Sequence, residues 1–126
     1  MITPLKGRIS SKFGQRKHPI TGVVSFHNGL DIAASIGTPV VAPSDAIVQR
    51  VWNHPKGGKS LSIITPAGLR FGFAHLSKRL VKEGDKVSAG QAIALVGTTG
   101  ASTGPHLHFT VSKQGQFIDP LKYFTF

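Results

Sequence analysis

Apolar residues along the chain come in short runs, and nowhere do they recur at i, i+3, i+4 and i+7 for long enough to mark an amphipathic helix. The runs are rich in Val, Ile and Phe and are cut off by Gly, Pro, Asn and Asp, the signature of strands joined by tight turns. This pattern predicts strands over residues 38–42, 46–52, 60–65, 69–74, 92–96 and 106–112. Turns fall at 53–58, 66–68, 83–85 and 114–115, where residues suited to tight reversals cluster. Connections this short suit hairpins of an antiparallel sheet, because parallel strands need crossovers of about a dozen residues or more. Only 120–124 reads as a short helical turn. The expected fold class is mostly β: an antiparallel β-sheet in a single domain over residues 1–126, with little helix.

Composition sharpens this picture. Hydrophobic residues make up 40% of the 126, enough apolar material for a packed core and too much for a disordered chain. There is no cysteine, which removes disulfides, thiolate metal sites, iron–sulfur clusters and cysteine nucleophiles. Lys and Arg number 15 against five Asp and Glu, for a formal charge of +10. The charge points to an anionic partner, while the scarcity of carboxylates works against chemistry that needs several acidic groups. No helix-turn-helix, RNA-binding or zinc-finger pattern accompanies the charge, so a specific nucleic-acid partner is not expected. No run approaches the roughly 18 apolar residues of a membrane span, so no membrane insertion is expected. The first residues, with Pro4, Lys6, Gly7 and Arg8, lack the apolar core of a signal peptide.

The six histidines carry the candidate chemistry. His18 and His54, each followed by proline, read as turn residues. His106 and His108 flank Leu107 in a predicted strand, so both imidazoles face one way and Leu107 the other. The second segment is His27-Asn28-Gly29-Leu30-Asp31. Fully extended, it would hold the Cα atoms of His27 and Asp31 about 13 Å apart. One metal with bonds of about 2 Å cannot easily bridge that span. A shared metal requires a bend, and Gly29 is the residue best able to permit it. Catalytic zinc takes three nitrogen or oxygen ligands and leaves a position for water. His27, Asp31 and one of His106 or His108 make up such a set; the other, with His75, is left to orient water, move protons or stabilise an oxyanion. Either motif alone is common in proteins that bind no metal, and it is their combination that points to hydrolysis.

The blocks Ser10-Ser11-Lys12-Phe13-Gly14-Gln15-Arg16, His18-Pro19-Ile20-Thr21-Gly22, His27-Asn28-Gly29-Leu30-Asp31, Gly37-Thr38-Pro39-Val40, Phe73-Ala74-His75-Leu76 and Ser102-Thr103-Gly104-Pro105-His106-Leu107-His108-Phe109 occur in that order. With them, nearly the whole chain resembles the lysostaphin-like, LytM-type zinc endopeptidases that cleave peptide cross-links of bacterial peptidoglycan. The resemblance implies a zinc ion (Zn2+) held by His27, Asp31 and His108 on an antiparallel sheet, at the floor of a groove. It implies that His75 and His106 are the unliganded catalytic histidines. They take the part that a glutamate has in other zinc peptidases, so Asp31 is the one carboxylate required.

The His18-Pro19-Ile20-Thr21-Gly22 segment is similar to members acting on directly cross-linked walls, so the expected bond is D-alanine to diaminopimelate (a D,D-endopeptidase). The alternatives are a glycyl-glycine endopeptidase and a catalytically inactive relative that binds wall or activates another hydrolase. Inactive relatives typically lose ligands, and all five positions are present here. The expected setting is the cell wall, periplasmic or extracellular, with the protein acting as a monomer, as a compact phage or prophage lysin or an excised bacterial peptidase domain. Some positions depart from the family pattern. Thr110 stands where glutamate is usual, Phe73 where tyrosine is common and Ala46 where glycine is usual, and Lys56-Gly57-Gly58-Lys59-Ser60 is an atypical turn. These changes bear on the surroundings of the ligands and on substrate contacts, not on the ligands themselves.

Overall fold

The computed structural model describes residues 1–17, 19–102 and 104–126, so the expectation for His18 lies outside the described residues. The strands are β1 (Arg8–Ser11), β2 (Gly14–Lys17), β3 (Val24–His27), β4 (Leu30–Ala33), β5 (Pro39–Val41), β6 (Ala46–His54), β7 (Gly58–Ile64), β8 (Leu69–Arg79), β9 (Lys86–Val87), β10 (Ala92–Val96), β11 (His106–Lys113) and β12 (Gln116–Ile118). A 3-10 turn at Pro120–Lys122 follows, opened by the Asp119 side chain, which accepts from the Leu121 N–H. The fold is mostly β, as the spacing of apolar runs requires.

Ten strands form one antiparallel sheet in the order β1-β4-β11-β8-β7-β6-β9, with β12 on β11, and β10 between β8 and β5. β2 and β3 form a separate hairpin. Alternation along the central strands sorts the two faces. Leu107, Phe109 and Val111 of β11, Phe71 and Phe73 of β8, Leu61 and Ile63 of β7, and Leu30 and Ile32 of β4 are buried in a common core. Phe109 lies at its middle, with ring centroids 5.4 Å from Phe73, 5.5 Å from Phe124 and 5.9 Å from Phe71. The intervening residues His106, His108, Thr110 and Ser112 face the other way.

The six expected strands correspond to β5, β6, β7, β8, β10 and β11, the last predicted to within one residue. β10 matches at both ends, β5 and β11 agree to within one residue at each end, β7 begins two residues early and ends one early, and β6 and β8 run longer than expected. β6 runs on to His54, which therefore ends a strand; its Nδ1 accepts the Lys56 N–H at 3.0 Å across the turn. β8 continues five residues past Ala74 to Arg79, because on one edge it exchanges β11 for β10, while on the other its pairing with β7 slips across Ala74 and His75.

Candidate metal centre

The centre lies where the chain leaves the small hairpin and enters the main sheet. β3 ends at His27 and β4 begins at Leu30, so the bend that a shared ion requires falls at Asn28 and Gly29. The reason for glycine differs from the one expected. Gly29 is not among the left-handed residues; instead a Cβ there would run into the Phe109 carbonyl oxygen, with Thr110 Cγ2 at 2.9 Å and His108 Cε1 at 3.0 Å. Close approach of β11, not an unusual φ, calls for the missing side chain.

Register does the rest. Asp31 is directly opposite His108 on β11 and Ser11 on β1, and cross-strand partners on one face touch. His108 Nδ1 is 2.8 Å from Asp31 Oδ1, and its Nε2–H donates to Asn28 Oδ1 at 3.0 Å. His27 donates its Nδ1–H to the Lys12 carbonyl at 2.9 Å, which turns Nε2 toward Asp31 Oδ1 at 3.4 Å. Donor atoms of His27, Asp31 and His108 all lie within 4.8 Å of one another. A tetrahedron with bonds of about 2.0–2.1 Å has edges of about 3.3 Å, so this two-nitrogen, one-oxygen set fits a metal ion in spacing and in kind.

His75 and His106 complete the cluster. The Nδ1–H of His106 donates to the Gly104 carbonyl at 2.9 Å, leaving Nε2 facing Asp31 Oδ1 at 3.9 Å, beyond hydrogen-bond reach. His75 has φ of 62°, a left-handed conformation that costs a non-glycine residue about 1–3 kcal/mol and persists only where its surroundings fix it. Here its N–H donates to the Gly57 carbonyl at 2.7 Å and its Nδ1–H to the Thr99 carbonyl at 2.8 Å. Thr99 is itself tied to the Leu76 carbonyl at 2.6 Å and to the Lys59 N–H at 3.0 Å. That contact depends on Gly58 and Gly100, both left-handed, because a Cβ on Gly58 would enter Thr99 and one on Gly100 would enter Gly58. The atypical Lys56–Ser60 segment is thus a wall of the cleft, packed against the loop that holds His75. The His75 and His106 rings lie 4.6 Å apart between centroids.

Charge is distributed unevenly over these groups. Burial alone would raise the Asp31 carboxyl, but hydrogen bonds from His108 and His27 and their charges outweigh it and hold the group well below the usual carboxylate range. The hydrogen bond to Asp31 raises His27 above its ordinary 6.5 against the opposing effect of burial. Burial lowers His75, and the neighbouring His106 and His108 add to this, so His75 stays neutral at neutral pH. Among the described residues Asp31 is the only carboxylate lining the cleft, which Arg16 and Lys56 border.

Four contributors escaped the reading of side-chain motifs. Asn28 lies inside the His27–Asp31 segment and was visible as a polar residue at a predicted bend. Lys12, Thr99 and Gly104 act through backbone carbonyls, which leave no side-chain signal. Of the departures from the family pattern, Phe73 is buried against Phe109 in the core, while Thr110 faces the cleft side of the sheet.

The model of Peptidase family M23 matches residues 25–120. The chain belongs to this family. It is 46% identical over 118 residues to the peptidoglycan DD-endopeptidase ShyA of Vibrio cholerae, covering 93% of this chain and 27% of ShyA. Among solved structures it is similar to a zinc-containing peptidase from Vibrio cholerae, with a TM-score of 0.89 at 43% identity over 96% of this chain and 39% of the other. It is also similar to the catalytic domain of the antimicrobial peptidase lysostaphin from Staphylococcus simulans, with a TM-score of 0.84 at 35% identity over 93% and 91%. The chain spans about a quarter of the length of the curated relatives it matches.

Proposed function

We propose that the chain is a zinc endopeptidase that hydrolyses the peptide cross-links of bacterial peptidoglycan between D-alanine and diaminopimelate, with residues 1–126 acting as one catalytic domain. In this reading His27 Nε2, Asp31 Oδ1 and His108 Nδ1 hold the metal, and His75 and His106 are catalytic. The observation that carries it is the convergence of three suitable donors beside two histidines that stand outside that set. The D,D bond is supported over a glycyl-glycine bond by the relatives ShyA and ShyB, each 46% identical and each named a peptidoglycan DD-endopeptidase.

Zinc, when bound, polarises a carbonyl as a Lewis acid and makes water acidic enough to act as a nucleophile near neutral pH. Asp31, already ionised, neutralises part of its charge. Asn28 fixes the His108 ring so that Nδ1 faces the centre. His75, neutral and with Nδ1–H engaged by Thr99, presents the Nε2 lone pair and accepts the proton lost by the attacking water. His106 Nε2 faces the same space, its ring 4.6 Å from that of His75, and passes to the leaving nitrogen the proton that His75 has taken from water. The shortage of carboxylates is no obstacle, since imidazoles do the proton transfer.

Metal analysis and wall lysis by the intact protein and by His108→Ala test the site. Wild type is expected to carry stoichiometric zinc and lyse purified walls, and His108→Ala to lose the metal and at least about 100-fold of the activity. Unchanged lysis by the variant would refute the assignment.

A further inference from the structure

Beyond His108, the cleft-facing side of β11 continues as Thr110 and Ser112, and β8 places Gly72 and Arg70 directly opposite them. With Trp52 of β6 and Phe117 of β12, these residues enclose a cavity of about 190 Å³ whose wall includes His108 itself. Its floor is open, because Gly72 has no side chain and a Cβ there would strike Thr110 Oγ1. Directly opposite Gly72 on β7, Ser62 is fully buried and its hydroxyl has no partner among the described residues.

Arg70 is the one charged group in that wall among the described residues. It is half-buried, and among the described residues no side-chain hydrogen bond or ion pair engages its guanidinium. Arg79, by contrast, donates to the Trp52 carbonyl and Asn53 Oδ1 at 3.0 Å and to the Ser60 carbonyl at 3.3 Å, so it is a structural arginine. Arg50 lies over the Trp52 ring at 4.9 Å and adds positive charge on that side. A guanidinium partly withdrawn from water with all its donors free matches a planar, bidentate acceptor that arrives with the ligand.

We propose that this cavity is a carboxylate subsite in which Arg70 pairs with a free carboxylate on the carbon next to the scissile nitrogen. The proposal rests on the endopeptidase reading and names the feature of the cross-link that the enzyme selects. In a D-alanyl–diaminopimelate cross-link, the carbon bonded to the scissile nitrogen carries such a carboxylate. A D-alanyl–D-alanine terminus has one at the same place. In a glycine bridge that carbon bears only hydrogens and a further amide, which offers a guanidinium no anion. His108 and Arg70 line one small cavity, so a group attached two atoms from the scissile carbon would enter the space that the guanidinium borders. The Trp52 and Phe117 rings contact the aliphatic part of the same residue, and Thr110 and Ser112 hydroxyls donate to the remaining carboxylate lone pairs.

Cross-linked dimers with that diaminopimelate carboxylate either free or amidated test the subsite. Zinc-loaded wild type is expected to cleave the free form with kcat/KM about 10–100-fold above the amidated form, the difference lying in KM. Arg70→Gln is expected to bring the two substrates within about 2-fold of each other while binding zinc as wild type does, and Arg70→Lys to recover part of the preference. A wild type indifferent to amidation, or an Arg70→Gln variant that keeps the preference, would overturn the subsite and leave the peptidase assignment standing. Failure of zinc-loaded wild type to cleave either dimer would contradict the endopeptidase reading, and the subsite with it.

Discussion

Each histidine of the centre has one ring nitrogen tied down and one free to face the cleft. Backbone carbonyls take the Nδ1–H of His27, His75 and His106, and Asn28 takes the Nε2–H of His108. These contacts fix tautomer and ring orientation, which a metal site needs as much as the donors themselves. Asn28→Ala is therefore expected to weaken zinc binding about 10–100-fold in calorimetric titration, with the fold intact by circular dichroism. An unchanged affinity would mean that His108 is oriented by other means. Titration state makes a second prediction. His27 is raised above 6.5 by its bond to Asp31, so at and below that raised value a proton must leave before Nε2 can bind metal. Asp31 is ionised throughout the working range and releases none. Apparent zinc affinity should fall as pH drops through the raised His27 value, seen by titration from about pH 8 to about 5.5, and a flat profile would contradict it.

At the scale of elements, what positions the site is the passage of one chain from the β2–β3 hairpin into the main sheet, with β11 pressed against the crossing point. Gly29→Ala puts a methyl against the Phe109 carbonyl and beside the His108 ring. The variant should lose about 1–3 kcal/mol in urea unfolding and bind zinc more weakly, because the strand that carries His108 must shift. A wild-type unfolding midpoint would show that Gly29 accepts a methyl without displacing β11. The same elements explain what the sequence could reveal. β7, β10 and β11 are long enough and apolar enough for alternation and turn residues to betray them. β1, β2 and β3 are four-residue, largely exposed strands; Gly14–Lys17 has no apolar residue, and Val24 and Phe26 of β3 are too few to show a period. β4 is buried, but Leu-Asp-Ile-Ala with its single acidic residue is too short to show a period. The extension of β8 was hidden because its alternation slips at Ala74 and His75. The pairing of His106 with His108 on one face was legible from period alone. The opposition of Asp31 to His108 depends on a register between distant segments, which no local pattern encodes.

Across the whole molecule, an excess of ten positive charges coexists with a centre in which Asp31 is the one cleft carboxylate among the described residues. Such a surface concentrates the protein on anionic polymers, and the attraction weakens once the screening length falls below about 10 Å, near 0.1 M salt. Lysis of purified walls should drop severalfold between about 0.05 M and about 0.5 M salt. Cleavage of a small soluble cross-linked peptide should change far less, and equal salt responses would show that long-range attraction to the wall plays no part in lysis. Whether the centre performs the proposed chemistry at all is tested most directly by mass analysis of cross-linked muropeptide dimers incubated with the protein, before and after chelation and after zinc is restored. Dimers are expected to separate into monomers with the addition of one water across the D-alanyl bond, chelation to stop this, and stoichiometric zinc to restore it. Dimers that persist with zinc present, or cleavage that survives its removal, would contradict the proposed chemistry.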